Sequence, residues 1–399
     1  MPVASPNPRV TMKRSTERIL TTHVGSLTRP VEIIDAMRAR VNKEPYDRES
    51  FAESLRNGVS EVVRRQTEVG IDIVSDGEFG KSGFAAYISE RLGGFERRPG
   101  NPDESGVSRG KDRRDFADFY REYDHLTRSH RPVSVKWVCT GPITYDPTLL
   151  QIDIANFKAA LAGVNVEEAF MPVAAPITVE TDRVNEYYPN QEAYLYAIAE
   201  ALKQEYKAIV DAGFLVQLDD PWITARWDQL LPNVDLREFQ KFCEKRIEAT
   251  NYALAEIPRD RIRYHICWGS WHGPHSTDIP IKHIQSLFLK VKAGAYMFEA
   301  ANVRHEHEWT VWQDVKPPEG TVLIPGVVTH ATNLIEHPEL VAQRIVRLAK
   351  LVGRENVLAG TDCGFSQGPF SAKVHPSIQW AKLEALVEGA QLASKELWP

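Results

Sequence analysis

Cysteine is scarce in this chain, with four residues among 399, at positions 139, 243, 267 and 363. They are too few and too widely spaced for the disulfide framework that holds together a small secreted protein. We therefore expect the four thiols to serve in packing or in metal binding.

Long apolar runs are missing as well. No stretch approaches the roughly 20 apolar residues that span a bilayer, and the start of the chain lacks the apolar centre of a signal peptide. These absences predict a cytoplasmic protein with no membrane partner.

The chain also lacks an excess of positive charge, since its formal net charge is -6 and its pI is near 6.1. A nucleic-acid partner is not expected, because phosphate binding needs a basic surface. With 43% hydrophobic and 26% charged residues, the composition is that of a soluble globular protein with a large core. A small-molecule substrate is the prediction, and the sequence leaves open whether the chain forms a homo-oligomer.

Short strand-like runs alternate with helix-like segments along the chain. Runs rich in branched and aromatic residues recur eight times, at 19–26, 71–75, 133–138, 214–219, 261–267, 295–299, 322–327 and 357–361. A further short strand is indicated at 170–175. Eight strands alternating with helices predict parallel pairing and right-handed crossovers. The count favours an α/β fold of the (β/α)8 TIM-barrel type over an open sheet.

One barrel domain, residues 18–399, accounts for most of the chain. Residues 1–17 are polar and proline-containing, which predicts a flexible N-terminal arm. Residues 97–131 are highly charged and interrupt the alternation, so we interpret them as an insertion or lid. A solvated surface excursion is the alternative interpretation.

The fifth predicted strand carries the first chemical signal. His265 and Cys267 lie two residues apart at its end, and successive strand side chains alternate between faces, so both point the same way. An imidazole and a thiolate on one face form half of a tetrahedral zinc shell. Taken alone, the pair is more often packing than a ligand set, because free cysteine is commonly buried.

Polar side chains follow nearly every other predicted strand. In a TIM barrel the catalytic groups sit at the carboxyl ends of the strands. Cys363 after the eighth strand and Glu299 after the sixth would face the same mouth as His265 and Cys267, which completes a plausible zinc set. The polar residues at these ends are His23, Ser26, Asp76, Glu78, Thr144, Asp219, Asp220, His265, Cys267, Glu299, His330, Asp362 and Cys363.

These motifs give the chain a resemblance to the catalytic barrel of the cobalamin-independent methionine synthase family and its shorter single-domain relatives. The resemblance extends over roughly residues 18–395. It is carried, in chain order, by the motifs at residues 22–26, 76–78, 141–144, 217–221, 265–267, 298–299, 324–330 and 361–364.

The resemblance implies a Zn2+ cofactor and a thiol alkyltransferase, with a methyl group transferred to a thiol such as homocysteine. His265, Cys267, Glu299 and Cys363 would be the metal ligands, with Glu299 replaced by the incoming thiol. Glu78 and Asp219 would hold the substrate amino group, Ser26 its carboxylate, and Trp268 would contribute to the substrate pocket. His330 would protonate the leaving group, so that His330 and Asp219 are the predicted catalytic residues.

Two departures from the family pattern leave the substrates open. Residues 145–147 are Tyr-Asp-Pro where the family has a tryptophan nearby that stacks on folate, which puts a folate donor in doubt. Residues 268–275 are rich in aromatic and imidazole groups and either shape an alkyl pocket or plug the barrel mouth.

Three other functions remain open at this stage. One is thiol addition to an epoxide, as in the single-domain relative epoxyalkane:coenzyme M transferase, for which Arg29, Lys81 and Arg226 could receive the sulfonate. Another is a non-catalytic barrel with structural zinc. The weakest is a metal-free decarboxylase on the related uroporphyrinogen-type barrel.

Overall fold

The computed structural model describes residues 12–100, 110–128, 135–181, 183–368, 370 and 373–399. The strands are β1 Ile73–Val74, β2 Leu92–Pro99, β3 Val135–Tyr145, β4 Glu168–Ala174, β5 Arg183–Asn185, β6 Leu215–Asp219, β7 Ile262–His265, β8 Ala295–Phe298, β9 Val322–Val328 and β10 Gly360–Thr361.

Fourteen α-helices occur in the described residues. They are α1 Val31–Asn42, α2 Arg48–Val69, α3 Ile88–Arg91, α4 Lys111–Asp115, α5 Ala117–Arg128, α6 Thr148–Leu161, α7 Pro176–Thr181, α8 Gln191–Asp211, α9 Trp222–Leu230, α10 Leu236–Ala253, α11 Gln285–Phe288, α12 Val311–Asp314, α13 Pro338–Val352 and α14 Pro376–Leu397. None of the described helices is both long and apolar enough to cross a membrane.

Seven parallel strands form the main sheet in the order β1-β4-β6-β7-β8-β9-β10. Residues 19–23 supply the eighth position, because Thr22 N donates to Ala359 O at 2.9 Å on one side and Ile73 N donates to Thr21 O at 3.0 Å on the other. The first and last sheet edges are thereby joined through this segment. The predicted (β/α)8 barrel is confirmed.

The prediction for the third barrel strand is wrong. Residues 135–138 belong to β3, which pairs antiparallel with β2 and parallel with β5 in a separate three-stranded sheet. The third barrel position is occupied by β4, at the short run expected only as an extra strand. Alternation of branched residues fits any pleated sheet, so the local pattern could not tell which sheet a strand joins.

Local signals at helix ends agree with the structure. Helix α13 begins at Pro338 and is followed by Gly353, and α2 ends before Gly70, whose φ of 99° is left-handed. Asp235 and Glu238 form a capping box that fixes the start of α10.

The described part of the predicted arm is packed. Ser15 is buried and its hydroxyl donates to Val357 O at 2.6 Å, while Lys13 N donates to Glu168 Oε2 at 2.9 Å. The expectation of a loose arm therefore does not hold for residues 12–17, because their polar groups bind barrel strands. Residues 1–11 lie outside the described residues.

The charged insertion contains α4 and α5, and its residues 101–109 and 129–131 lie outside the described residues. Its beginning is the end of β2, so the excursion starts inside the side sheet. Both helices make hydrogen bonds to residues 271–276, in the loop after β7. A lid function stays a prediction.

Gly326 provides a test of the barrel packing. A side chain at this β9 position would overlap the backbone and carboxylate of Asp362, whereas nothing lies near Gly163 at the end of α6. We expect Gly326→Ala to lower the free energy of unfolding by about 1–3 kcal/mol, because the overlapped atoms are mostly backbone. Gly163→Ala should change it by less than about 0.5 kcal/mol. Urea unfolding of both variants measures the difference, and equal effects would contradict this packing.

Candidate metal centre

Three predicted ligands meet at the mouth of the barrel. One ligand atom each from His265, Cys267 and Cys363 lies within 4.8 Å of the others, and all three residues are buried. His265 ends β7 and Cys267 follows it on the same face, while Cys363 comes from the turn after β10. Side chains almost 100 residues apart therefore converge on one point.

Asp219 orients His265. The two residues are direct neighbours in the register of β6 and β7, and Asp219 Oδ1 lies 2.9 Å from His265 Nδ1. The other ring nitrogen, Nε2, is buried and has no hydrogen-bond partner among the described residues. A carboxylate on one nitrogen and a free second nitrogen is the usual arrangement of a metal-binding histidine.

The two sulfur atoms lie 3.6 Å apart. The hydrogen bond from Cys267 holds the pKa of Cys363 well below its usual range, although burial opposes this shift. Burial also opposes the charged form of His265, but Asp219 and Cys363 together raise the pKa of the imidazole to about 10. A bound cation would compete with this proton, because a ligating imidazole is neutral.

The donor set fits a zinc ion. Zn2+ is bound by thiolate sulfur and imidazole nitrogen in tetrahedral sites, and three protein ligands with one open position are typical of catalytic zinc. The described residues hold an unpartnered imidazole nitrogen and two adjacent sulfurs at this point. A carboxylate-binding metal such as Mg2+ would find no matching oxygen cage there.

Glu299, the fourth predicted ligand, is not a member of the converging set. Its Oε1 accepts from Trp268 N at 3.0 Å and its Oε2 accepts from Asn302 Nδ2 at 2.6 Å. Burial and the neighbouring Asp362 carboxylate raise the pKa of Glu299 well above its usual range. Its role as a ligand stays a prediction.

The predicted substrate residues Glu78 and Ser26 line the loops after the first two barrel positions. Glu78 has a φ of 60°, unusual for a residue other than glycine, and its Oε1 lies 3.1 Å from Lys81 Nζ. Ser26 Oγ accepts from Ser366 N at 3.3 Å, directly beside Gly364. Both side chains are buried, and their substrate-binding roles stay predictions.

Asp219 lies against a predicted metal ligand, and its predicted substrate role stays a prediction. It was predicted to hold a substrate amino group, yet its Oδ1 contacts His265 and also accepts from Gln217 Nε2 at 2.9 Å. Burial raises the pKa of Asp219, against the effect of His265. In this structure the carboxylate positions a ligand.

His330 follows β9 and is buried with both ring nitrogens unpartnered among the described residues. Burial lowers the pKa of His330 to about 4, while Cys363 acts in the opposite direction. The free ring nitrogens are compatible with the predicted proton transfer. A general acid at neutral pH would need additional negative charge nearby to be protonated.

Trp268 is 1% exposed and packs inside the protein. Its Nε1 donates to Ile279 O at 2.8 Å, and its ring stacks on His305 at 3.9 Å between centroids. These contacts favour the plug over the open alkyl pocket, so its substrate-binding role stays a prediction without support from the geometry. His305 is itself buried between Asp278 and Glu308.

The remaining thiols and cations have structural partners. Cys139 and Cys243 are buried and do not belong to the converging set, which is compatible with a packing role. Arg29 donates to the backbone oxygens of Glu78, Lys81 and Ser366. Lys81 contacts Glu78 and the backbone oxygen of Pro172.

Sequence reasoning missed two hydrogen-bond donors beside the ligands. Ser270 and Gln367 donate hydrogen bonds to Cys363 Sγ at 3.5 and 3.7 Å. Asp362 Oδ1 accepts from Ala300 N and Ala301 N at 2.8 and 2.9 Å, which ties the turn carrying Cys363 to the loop after β8. Proximity of Ser270 to Cys267 in the chain was the one available signal.

Comparisons with known proteins show which proteins this chain is similar to. A family model described as the catalytic domain of cobalamin-independent synthase matches residues 19–144. The methionine synthase of Sulfolobus acidocaldarius is 25% identical over 382 residues, covering 94% of this chain and 93% of the relative. The methionine synthase of Saccharolobus solfataricus is 23% identical over 380 residues, covering 94% and 95%.

A solved structure shares the fold. The B12-independent methionine synthase of a Shewanella species, in complex with selenomethionine, superposes with a TM-score of 0.71 at 20% identity. The match covers 95% of this chain and 99% of the other. The barrel architecture is therefore common to both chains.

The metal centre predicts the outcome of cysteine replacement. We expect the wild-type protein to hold about one zinc ion per chain and Cys363→Ser to lose it, because a hydroxyl is a poor replacement for a thiolate ligand. Cys243→Ser, another buried cysteine, is the matched control and should retain zinc. Elemental analysis after dialysis measures both. Equal zinc contents in the two variants would contradict this ligand set.

Proposed function

We propose that the chain belongs to the cobalamin-independent methionine synthase family, and that it transfers a methyl group to a thiol such as homocysteine at a zinc site held by His265, Cys267 and Cys363. The main support for this proposal is the convergence of two sulfurs and His265 Nε2 at the barrel mouth, where Nε2 has no hydrogen-bond partner among the described residues. A bound zinc ion would supply the positive charge that keeps a thiol deprotonated near neutral pH.

In this proposal Asp219, at the end of β6, orients the His265 side chain. Asp219 fixes the ring of His265 through Nδ1, which leaves Nε2 for the metal. Glu299 lies beside the site, where its raised pKa favours a neutral carboxyl group in the metal-free state. An incoming thiol would serve as the fourth ligand of the zinc ion, the role for which Glu299 was predicted.

The thiol in this proposal carries an amino group. Lys81 contacts Oε1 of Glu78, so an ammonium group could be received at the other carboxylate oxygen. Ser26 Oγ lies close to Gly364, and its hydroxyl could donate to a substrate carboxylate while accepting from Ser366 N. An amino-acid thiol is therefore the proposed acceptor.

The transfer step forms one bond and breaks one. The thiolate electron pair forms the new sulfur–carbon bond, and the bond between the methyl carbon and the donor breaks with its electron pair remaining on the donor. The donor then takes up a proton, for which His330 is the proposed source. The chemical identity of the donor stays open between a folate and other methyl donors.

A sulfonated thiol is a less favoured acceptor than an amino-acid thiol, because the buried cations that could bind its sulfonate already have partners. Arg29 donates to three backbone oxygens, and Lys81 is paired with Glu78. A sulfonate would have to displace these contacts, and displacing buried pairs is costly. The epoxide reaction with coenzyme M therefore stands as the alternative.

An acceptor screen tests the proposed function. Zinc-loaded protein is incubated with a panel of methylated donors and epoxides, with homocysteine or coenzyme M as the thiol. We expect methionine to form with homocysteine, because Glu78 and Ser26 fit an amino-acid thiol. Product from coenzyme M and an epoxide alone would replace this proposal with the alternative. No turnover with any pair, together with zinc that no thiol perturbs, would favour a structural zinc barrel.

Replacement of His330 tests the proton-transfer role. We expect His330→Gln to lower kcat by about 100-fold, the lower range for general acid catalysis, with zinc content unchanged. The matched control is His337→Gln, an exposed histidine at the start of α13. The measurements are steady-state kinetics and metal analysis. A variant with wild-type kcat would remove His330 from the mechanism.

A further inference from the structure

The sulfur of Cys363 accepts two side-chain hydrogen bonds that the proposed mechanism does not use. Ser270 Oγ donates at 3.5 Å and Gln367 Nε2 donates at 3.7 Å. Ser270 belongs to the loop after β7 that also carries Cys267, and Gln367 lies four residues after Cys363. Both donors are half-buried, so the bonds are partly shielded from water.

Trp271, the residue after Ser270, is held on several sides. Its ring stacks on His275 at 4.0 Å between centroids, and His275 Nε2 lies 3.1 Å from the backbone oxygen of Trp271. A side chain at Gly269 or at Gly273 would overlap the indole. Gly269 also has a φ of 100°, a conformation that favours glycine. The loop after β7 therefore packs closely around the indole of Trp271.

The insertion provides the remaining contact of the indole. Trp271 Nε1 donates to Tyr120 OH at 2.9 Å, and Tyr120 OH donates to Asp112 Oδ2 at 2.7 Å. The other oxygen of Asp112 accepts from Ser276 N at 2.9 Å, at the far end of the same loop. Tyr120 is 3% exposed although it lies on a highly charged helix.

The carboxylate of Asp228 also links the insertion to the loop after β7. Asp228 Oδ1 accepts from Asp112 N at 2.8 Å and also from Thr277 Oγ1. Gly110 stands where a side chain would overlap the Asp228 carboxylate, so the insertion approaches α9 closely. The insertion and the loop after β7 are therefore joined mainly by polar groups of defined geometry.

We propose that Ser270 is a positioning residue of the metal centre, held on the Cys363 sulfur by the insertion through Tyr120 and Trp271. This inference rests on the metal site of the proposed function. A hydrogen bond to a ligating thiolate draws electron density from the sulfur and weakens its donation to a bound cation. The insertion thereby tunes the site as well as covering the loop.

The assignment of Ser270 is tested by the absorption spectrum of the cobalt-substituted protein. We expect Ser270→Ala to move the sulfur-to-cobalt charge-transfer band to longer wavelength, because the sulfur becomes a stronger donor. Ser270→Thr keeps the hydroxyl and should restore the wild-type band.

The insertion is tested by a double-mutant cycle in the same assay. Tyr120→Phe removes the hydroxyl that receives Trp271 and should move the band in the same direction by a smaller amount. The double variant should move it no further than Ser270→Ala alone, because both changes act on one hydrogen bond. Tyr187→Phe, an exposed tyrosine of the loop between β5 and α8, is the matched control and should leave the spectrum unchanged.

Each result decides the inference. A wild-type band in Ser270→Ala would overturn it, as would a Tyr120→Phe spectrum identical to wild type. If Ser270→Ala does not fold, as judged by thermal melting, Gln367→Leu removes the other donor and should give the same direction of shift. A wild-type protein that takes up no cobalt would overturn the proposed function too, whereas a normal wild-type site with unaltered variants would overturn this inference alone.

Discussion

The hydrogen bond between Asp219 and His265 is the contact on which the proposed site depends. The two residues are register partners on adjacent parallel strands, so the barrel itself sets their 2.9 Å separation. The bond occupies Nδ1 and leaves Nε2 toward the two sulfurs. Without it, the imidazole could rotate and a third ligand would be lost, because a buried ring needs a partner to fix its orientation.

Other buried charged groups of the described residues are also paired. Lys81 pairs with Glu78, Arg91 with Asp153 at 2.5 Å, and His305 lies between two carboxylates. Removing charges from water is costly, so such pairs contribute little net stability and are better understood as fixing positions. The Arg91–Asp153 pair joins α3 to α6, and the Lys81–Glu78 pair lies within the loop after β1.

Much of the fold and the ligand set could be predicted from the sequence. The two-residue spacing of His265 and Cys267 requires only strand geometry, and the approach of Cys363 requires only that parallel strands end on one face. The third barrel strand was misplaced because strand-like composition does not reveal a pairing partner. The partnership of Asp219 with His265 could have been found, since polar residues end two neighbouring predicted strands. Ser270, Gln367 and Asn302 depend on loop conformation, which local patterns do not determine.

The central claim is that these three ligands hold a zinc ion that also accepts a thiol from outside the protein. X-ray absorption at the zinc edge, recorded before and after homocysteine is added, tests this most directly. The account predicts that the number of sulfur neighbours at about 2.3 Å rises by one when the thiol binds. A coordination shell that stays unchanged at saturating homocysteine would contradict it.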